Sequence, residues 1–224
     1  MLGNAGETEL DLRFQILGIP VRVHPSFWLM GAFICWQSAG GRPDLVLIGI
    51  ICVFLSILIH ELGHAITFRR YGHRGEIVLY MMGGYATGGA LSTWRNVIVS
   101  AAGPAAGFVV SAIVWVLMRT IPEETFMQHF SLLWALNLLW FVNFWWGILN
   151  LTPCMPLDGG RIMESLVYRY WPQRADIKVL WICSLSSGGV ALIGAQQQRQ
   201  FLMIMFGIMC AQHVMTLNQR NRFR

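Results

Sequence analysis

Two imidazoles and a carboxylate, His60, Glu61 and His64, interrupt the longest apolar run of the chain, Leu45 to Phe68. Residues four apart share a helical face, so His60 and His64 can aim ring nitrogens at one ion while Glu61 projects about 100° around the axis. Neutral imidazole is a zinc ligand, and a neighbouring carboxylate can take a proton from water. The H-E-x-x-H spacing therefore predicts metal-assisted hydrolysis with Glu61 as general base. The same groups could serve instead as polar glue between helices or as members of a proton relay. Their setting argues for function in either case, because ionisable side chains are expensive where hydrocarbon is the natural neighbour.

The element that positions them is expected to be a membrane helix. Hydrophobic residues make up 55% of the 224 and charged residues 12%, about half the charged share of an average soluble domain. A water-facing surface cannot be built from such a composition. Six apolar stretches are candidate spans: about Ser26–Ala39, Leu45–Phe68, Val97–Met118, Ser131–Leu151, Val179–Ala195 and Phe201–Leu217. The first is short for a span. The fold class expected is an all-α polytopic membrane protein of about six transmembrane helices, organised as one domain over residues 1–224. Its catalytic core is expected over about 45–161, with accessory helices at about 25–41 and 179–217. The start, Met1 to Asp11, is polar and acidic, so no cleavable leader is expected.

Two connections carry further signals. Leu10 to His24 alternates apolar and polar residues around Gly18-Ile19-Pro20, which suits an interfacial strand or loop. Between Tyr71 and Asn96 the chain is too short and glycine-rich for a span, yet apolar from Ile77 to Ala86. A short membrane-associated β-hairpin is expected there, between the second and third spans. Its edge at Gly83-Gly84 could pair with an extended substrate backbone, or the segment could be a plain re-entrant connector.

Small residues from Ala101 to Gly107 predict close packing of the third span against the histidine helix, with Gly103 and Gly107 in G-x-x-x-G spacing. In the fourth span Asn137, Asn143 and Asn150 recur at about two helical turns, so their amides are expected on one stripe. Pro153 and Pro156 end that helix, and Asp158 follows in a Gly-flanked turn. Asp158 could cap the next helix, which is expected to begin near Arg161. As a third metal ligand it would complete a catalytic set of three protein ligands plus water. The five cysteines show no C-x-x-C spacing, which argues against a structural zinc cage or disulfide framework, and they read as small buried hydrophobes.

All 16 Lys and Arg except Arg42, Arg119 and Arg199 fall in the two tails and in the second-to-third and fourth-to-fifth connections. This asymmetry predicts that both termini are cytoplasmic and that the site lies toward the cytoplasmic side. It also makes the net charge of +5 a topology signal and not a nucleic-acid patch.

Taken together, the motifs resemble the site-2 protease family of intramembrane zinc metalloproteases, peptidase family M50, in its short branch without PDZ or CBS domains. The residues that carry the resemblance are His60-Glu61-Leu62-Gly63-His64, Arg70-Tyr71-Gly72, Gly83-Gly84, Ala102-Gly103-Pro104, and Asn150-Leu151-Thr152-Pro153 leading to Pro156-Leu157-Asp158-Gly159-Gly160. Gly18-Ile19-Pro20-Val21 with His24 adds to it. The resemblance implies one zinc ion per chain on His60, His64 and Asp158, with Glu61 as catalytic base and Asn150 near the substrate or centre. It implies hydrolysis of a peptide bond in or near a transmembrane segment of a membrane-bound substrate, as in regulated intramembrane proteolysis. The partners implied are a transmembrane protein substrate, the lipid bilayer (the cell membrane, if the source is bacterial) and a regulatory membrane protein. One position departs from the family pattern, since Gly107 stands where Asn is frequent. The rival reading is a non-catalytic zinc-binding scaffold or a transporter-like protein, against which the retained Glu61 argues.

Overall fold

The computed structural model of the chain describes residues 6–81, 83–86 and 91–222. Met82 and residues 87–90, which fall in the hairpin connection, and residues 1–5 of the polar start lie outside the described residues. The elements in order are β1 (Leu12–Ile16), β2 (Ile19–Val23), α1 (Pro25–Ser38), α2 (Pro43–Arg70), β3 (Ile77–Tyr80), β4 (Gly83–Ala86), α3 (Thr93–Thr120), α4 (Glu123–Gln128), α5 (Phe130–Asn150), α6 (Asp158–Tyr170), α7 (Ala175–Gln196) and α8 (Gln200–Arg222). They divide into two compact units, one of Met1–Ala90 with Ala102–Gly147 and one of Leu91–Ala101 with Ile148–Arg224.

Five helices, α2, α3, α5, α7 and α8, are long and apolar enough to cross a membrane. The first expected span is the 14-residue α1, which at 1.5 Å per residue reaches about 21 Å, short of the roughly 30 Å hydrocarbon core. Much of the outer surface of the long helices is apolar, for example Leu47, Leu185 and Leu192, which are all exposed. Such a surface suits lipid and not water.

In the first unit, α2 starts with Pro43 at its first position, holds Asp44 in its first turn, and ends in Arg69 and Arg70. Each of these choices matches the helix termini and the macrodipole. Its buried face includes Cys52, Ser56, His60, His64 and Phe68, four apart throughout. α1 packs against α2, with Cys35 Sγ meeting the bare backbone of Gly49, where a Cβ would lie 2.8 Å from the sulfur.

The expected hairpin is present as β3 and β4, but it belongs to a larger structure, a four-stranded sheet in the order β1-β2-β3-β4. The Leu10–His24 segment supplies β1 and β2, an antiparallel hairpin whose turn residues Leu17 and Gly18 both have positive φ, as a two-residue turn between twisted strands requires. β2 then pairs parallel with β3 through Val21↔Ile77, Arg22↔Val78 and Val23↔Leu79. The reason is burial. Ile19, Val21, Val23, Ile77 and Leu79 form one core with Phe27, Ile57, Leu58 and Ala65, and the parallel ladder satisfies the backbone groups buried with them. Arg69 of α2 donates to Leu17 O and ties the turn to the end of the histidine helix. On the other side Arg22 is paired with Asp11 at 3.0 Å. Thr8 first, through its hydroxyl, and then Arg22 hold the Asp11 carboxyl down at about 2.

The asparagine stripe is narrower than expected. Asn143 and Asn150 are buried, whereas Asn137 is exposed and bonds back to Leu133 O of its own helix. Seven residues return nearly to the same face, but the six between Asn137 and Asn143 leave a rotation of about 120°.

In the second unit, α6 begins at Asp158 itself, three residues before the expected start. α7 and α8 pack against each other around Cys154, Phe206 and Met209. All five cysteines are free, four of them buried, in line with their reading as small hydrophobes.

Candidate metal centre

The centre is built on α2. Because residues 60 and 64 stand one turn apart, the two rings meet nearly edge to face, with centroids 4.9 Å apart and planes at 79°. Their Nε2 atoms converge to 3.2 Å. Two nitrogens each about 2.05 Å from a zinc ion and at a tetrahedral angle would be about 3.3 Å apart. The pair thus fits a shared zinc ion. Burial is nearly complete, at 4% exposure for His60, 5% for Glu61 and 7% for His64.

Glycines bring neighbouring backbones onto these side chains. On α3, a Cβ at Gly103 would stand 2.2 Å from His64 Nε2 and 2.5 Å from Cε1. Across the same contact, a Cβ at Gly63 of α2 would lie 2.5 Å from Ala102 O. The expected close packing of the small-residue stripe against the histidine helix is therefore present, and it takes a glycine from each helix. Glu61 meets the sheet. A Cβ at Gly84 of β4 would come 2.7 Å from Glu61 Cγ and 2.9 Å from Oε1. Gly83 precedes it with φ +116°, a conformation that L side chains rarely adopt. β4 is an edge strand, paired only with β3 among the described strands.

The remaining candidates, Asn150 and Asp158, belong to the second unit. Asn150 ends α5 and is 9% exposed. Asp158 is the first residue of α6 and is partly buried, after Leu157 in extended conformation. The preceding loop is packed onto the start of that helix. A Cβ at Gly159 would lie 2.1 Å from Leu151 O, and one at Gly160 would lie 2.5 Å from Cys154 O. Only glycine fits either place. From α7, Ser186 Oγ lies 2.7 Å from Pro153 O, and Cys183 Sγ accepts the Met155 N–H at 3.3 Å. These two supports of the Asp158 loop are about thirty residues away in sequence, and no local signal marks them. Ser56, which holds Asn143 from α2 at 2.8 Å, was equally silent in the sequence.

Residues 48–134 match the family model described as Peptidase family M50. The zinc metalloprotease MJ0392 of Methanocaldococcus jannaschii is 27% identical over 167 residues, 74% of this chain and 48% of that protein. The putative zinc metalloprotease Rip3 of Mycobacterium tuberculosis is 33% identical over 171 residues, 69% of this chain and 43% of that one. The chain spans half or less of the length of these relatives. Among solved structures, the site-2 protease from Methanocaldococcus jannaschii shares the fold at a TM-score of 0.64 and 24% identity, covering 92% of this chain and 95% of that one.

Proposed function

This chain belongs to peptidase family M50, and from that premise we propose that it is an intramembrane zinc metalloprotease acting on a transmembrane protein substrate. His60, His64 and Asp158, which offer one ligand atom each, hold one zinc ion per chain. The observation that carries the reading is the 3.2 Å convergence of two buried imidazole nitrogens beside a buried carboxylate, on a helix apolar enough to span a membrane. The names of the relatives support zinc as the metal and proteolysis as the activity.

When bound, zinc supplies a Lewis acid that polarises a carbonyl and lowers the pKa of water. Glu61 takes a proton from the attacking water as its oxygen bonds to the scissile carbonyl carbon, then returns that proton to the amide nitrogen as the C–N bond breaks. The helical substrate unwinds locally to expose a carbonyl, since its amides are otherwise internally bonded. The edge of β4 at Gly83 and Gly84 receives the unwound strand beside Glu61, and Asn150 adds a polar contact. The whole chain acts as one domain of six spans, α1 being the short one, with both termini and the site toward the cytoplasm. A zinc-holding scaffold has no use for a base at position 61 against a strand edge.

The test is zinc content of the detergent-purified protein, wild type beside Asp158→Ala. About one zinc per chain is expected in the wild type, with clear loss in the variant. Equal zinc in both would remove Asp158 from the ligand set.

A further inference from the structure

In the first unit a buried amide has used both of its hydrogens and kept its acceptor. Asn143 of α5 is 3% exposed. Its Nδ2 donates to Ser56 Oγ and to Leu139 O, each at 2.8 Å. The orientation follows from the partners, because Leu139 O can only accept and the Ser56 hydroxyl hydrogen is already directed at Cys52 O, at 2.8 Å. Asn143 Oδ1 is enclosed and has no hydrogen-bond partner among the described residues. It faces Gly107 of α3, where a Cβ would stand 3.7 Å from Oδ1 and 3.1 Å from Asn143 O.

Two registers place this amide relative to the histidines. Ser56 precedes His60 by one turn on the buried face of α2. Gly107 follows Gly103 by one turn on α3, and Gly103 is the glycine that lies against His64. Asn143 is therefore about one turn farther than the histidine pair from the Arg69–Arg70 end of α2, deeper in the apolar interior. Buried acceptors are rarely left unmatched, and one in a dry interior calls for an explanation.

We propose that Asn143 Oδ1 is a substrate-binding acceptor, which takes one backbone N–H of the peptide segment unwound for hydrolysis. This rests on the protease reading above. Unwinding a helix in hydrocarbon leaves N–H groups without their carbonyls, and only protein groups can replace them there. With both hydrogens engaged, the amide cannot receive a carbonyl, so its ligand is a donor. Its fixed orientation means that nothing has to turn when that donor arrives. Gly107 lays no side chain over the oxygen, so a small parting of α3 from α5 admits an extended backbone.

The experiment uses a single-span peptide of leucine and alanine with one central Gly-Pro pair to weaken its helix. A series of analogues replaces one backbone N–H at a time by an ester oxygen. Binding is measured in liposomes to the zinc-loaded full chain carrying Glu61→Gln, with and without Asn143→Leu. One ester position is expected to weaken binding about tenfold to the Asn143 protein and not at all to the Asn143→Leu protein. Gly107→Ala, which keeps every hydrogen bond of Asn143, is expected to weaken the parent peptide alone and to blunt that same ester effect. It decides the matter if Asn143→Leu does not fold. Ester losses that are equal in both proteins, or no binding of the parent peptide, would overturn the proposal. Weaker binding to Asn143→Leu without coupling to any ester would assign the acceptor to water and overturn it too. Cleavage of the parent peptide by the chain with Glu61 intact tests the protease reading separately.

Discussion

His64 Nε2 lies 2.2 Å from where a Cβ would stand on Gly103, so one of the two imidazoles of the centre occupies space that any other residue on α3 would claim. The position of the ring is set by an absence on the neighbouring helix. A methyl at residue 103 has only backbone behind it and must displace the ring. Gly103→Ala is accordingly expected to lower zinc affinity by about 10- to 100-fold, the range seen when support of a ligand is disturbed. Competition with a chelator measures it.

Gly84→Ala makes the contrasting case. Its methyl meets Glu61 at Cγ and Oε1 and Leu79 at Cδ2, its three nearest neighbours, so it presses first on the base. Zinc affinity should stay as in the wild type while the hydrolytic rate falls. A parallel loss of zinc would show that the strand supports the ligands and not the base.

Glu61→Gln keeps the shape of the side chain and removes its basicity. The rate is expected to fall by about 100- to 10,000-fold, the usual worth of a positioned base, with zinc content unchanged. Cleavage at the wild-type rate would exclude Glu61 from proton transfer.

Asp11 gives a pH dependence with a definite sign. Its carboxyl is held at about 2 against an ordinary value of 3.8, first by the Thr8 hydroxyl. A depressed folded-state value means that the contribution is present above 3.8 and is lost as the pH falls toward about 2. Hydrogen exchange in β1 and β2 should accelerate through that window, and Asp11→Asn should remove this component of the acid response. A pH profile identical in the two proteins would contradict the pairing with Thr8 and Arg22.

Ser186 reports on the loop before α6. Its hydroxyl reaches Pro153 O at 2.7 Å from α7, and it also lies 2.7 Å from Ile182 O. Losing a neutral hydrogen bond of this kind costs about 1 kcal/mol, so Ser186→Ala should weaken zinc binding about fivefold if the bond helps to hold Asp158 in place. Unchanged affinity would mean that the glycine contacts of Gly159 and Gly160 suffice.

Much of the site was readable because its signals are local. The four-residue spacing of His60 and His64 needs only a helix, and a polar triplet in an apolar run names its own helix. Gly103 was visible within a cluster of small residues. The orientation of the asparagines failed on one residue of spacing, since six and seven positions differ by about 100°. The sheet was only half readable for another reason. The alternation in Leu10–His24 announces a strand, but its parallel partner lies beyond two helices, and pairing over that distance leaves no mark in either segment. The same holds for Ser186 and Cys183, whose role exists only once α7 is packed. Gly84 was noted as an edge residue, but its contact with Glu61 required the fold.

The parallel pairing of Val21, Arg22 and Val23 with Ile77, Val78 and Leu79 also carries a rule of parity. In a sheet that lies on one face of a bilayer, a chain that leaves at Val23 and rejoins at Ile77 is back on the side from which it set out. Between those residues it has made an even number of passages, and α1 and α2 are the only helices available to make them. They count as crossings together or not at all, so the shorter helix has its status decided by the longer one. The third strand can therefore join β2 only once both intervening helices have taken their places.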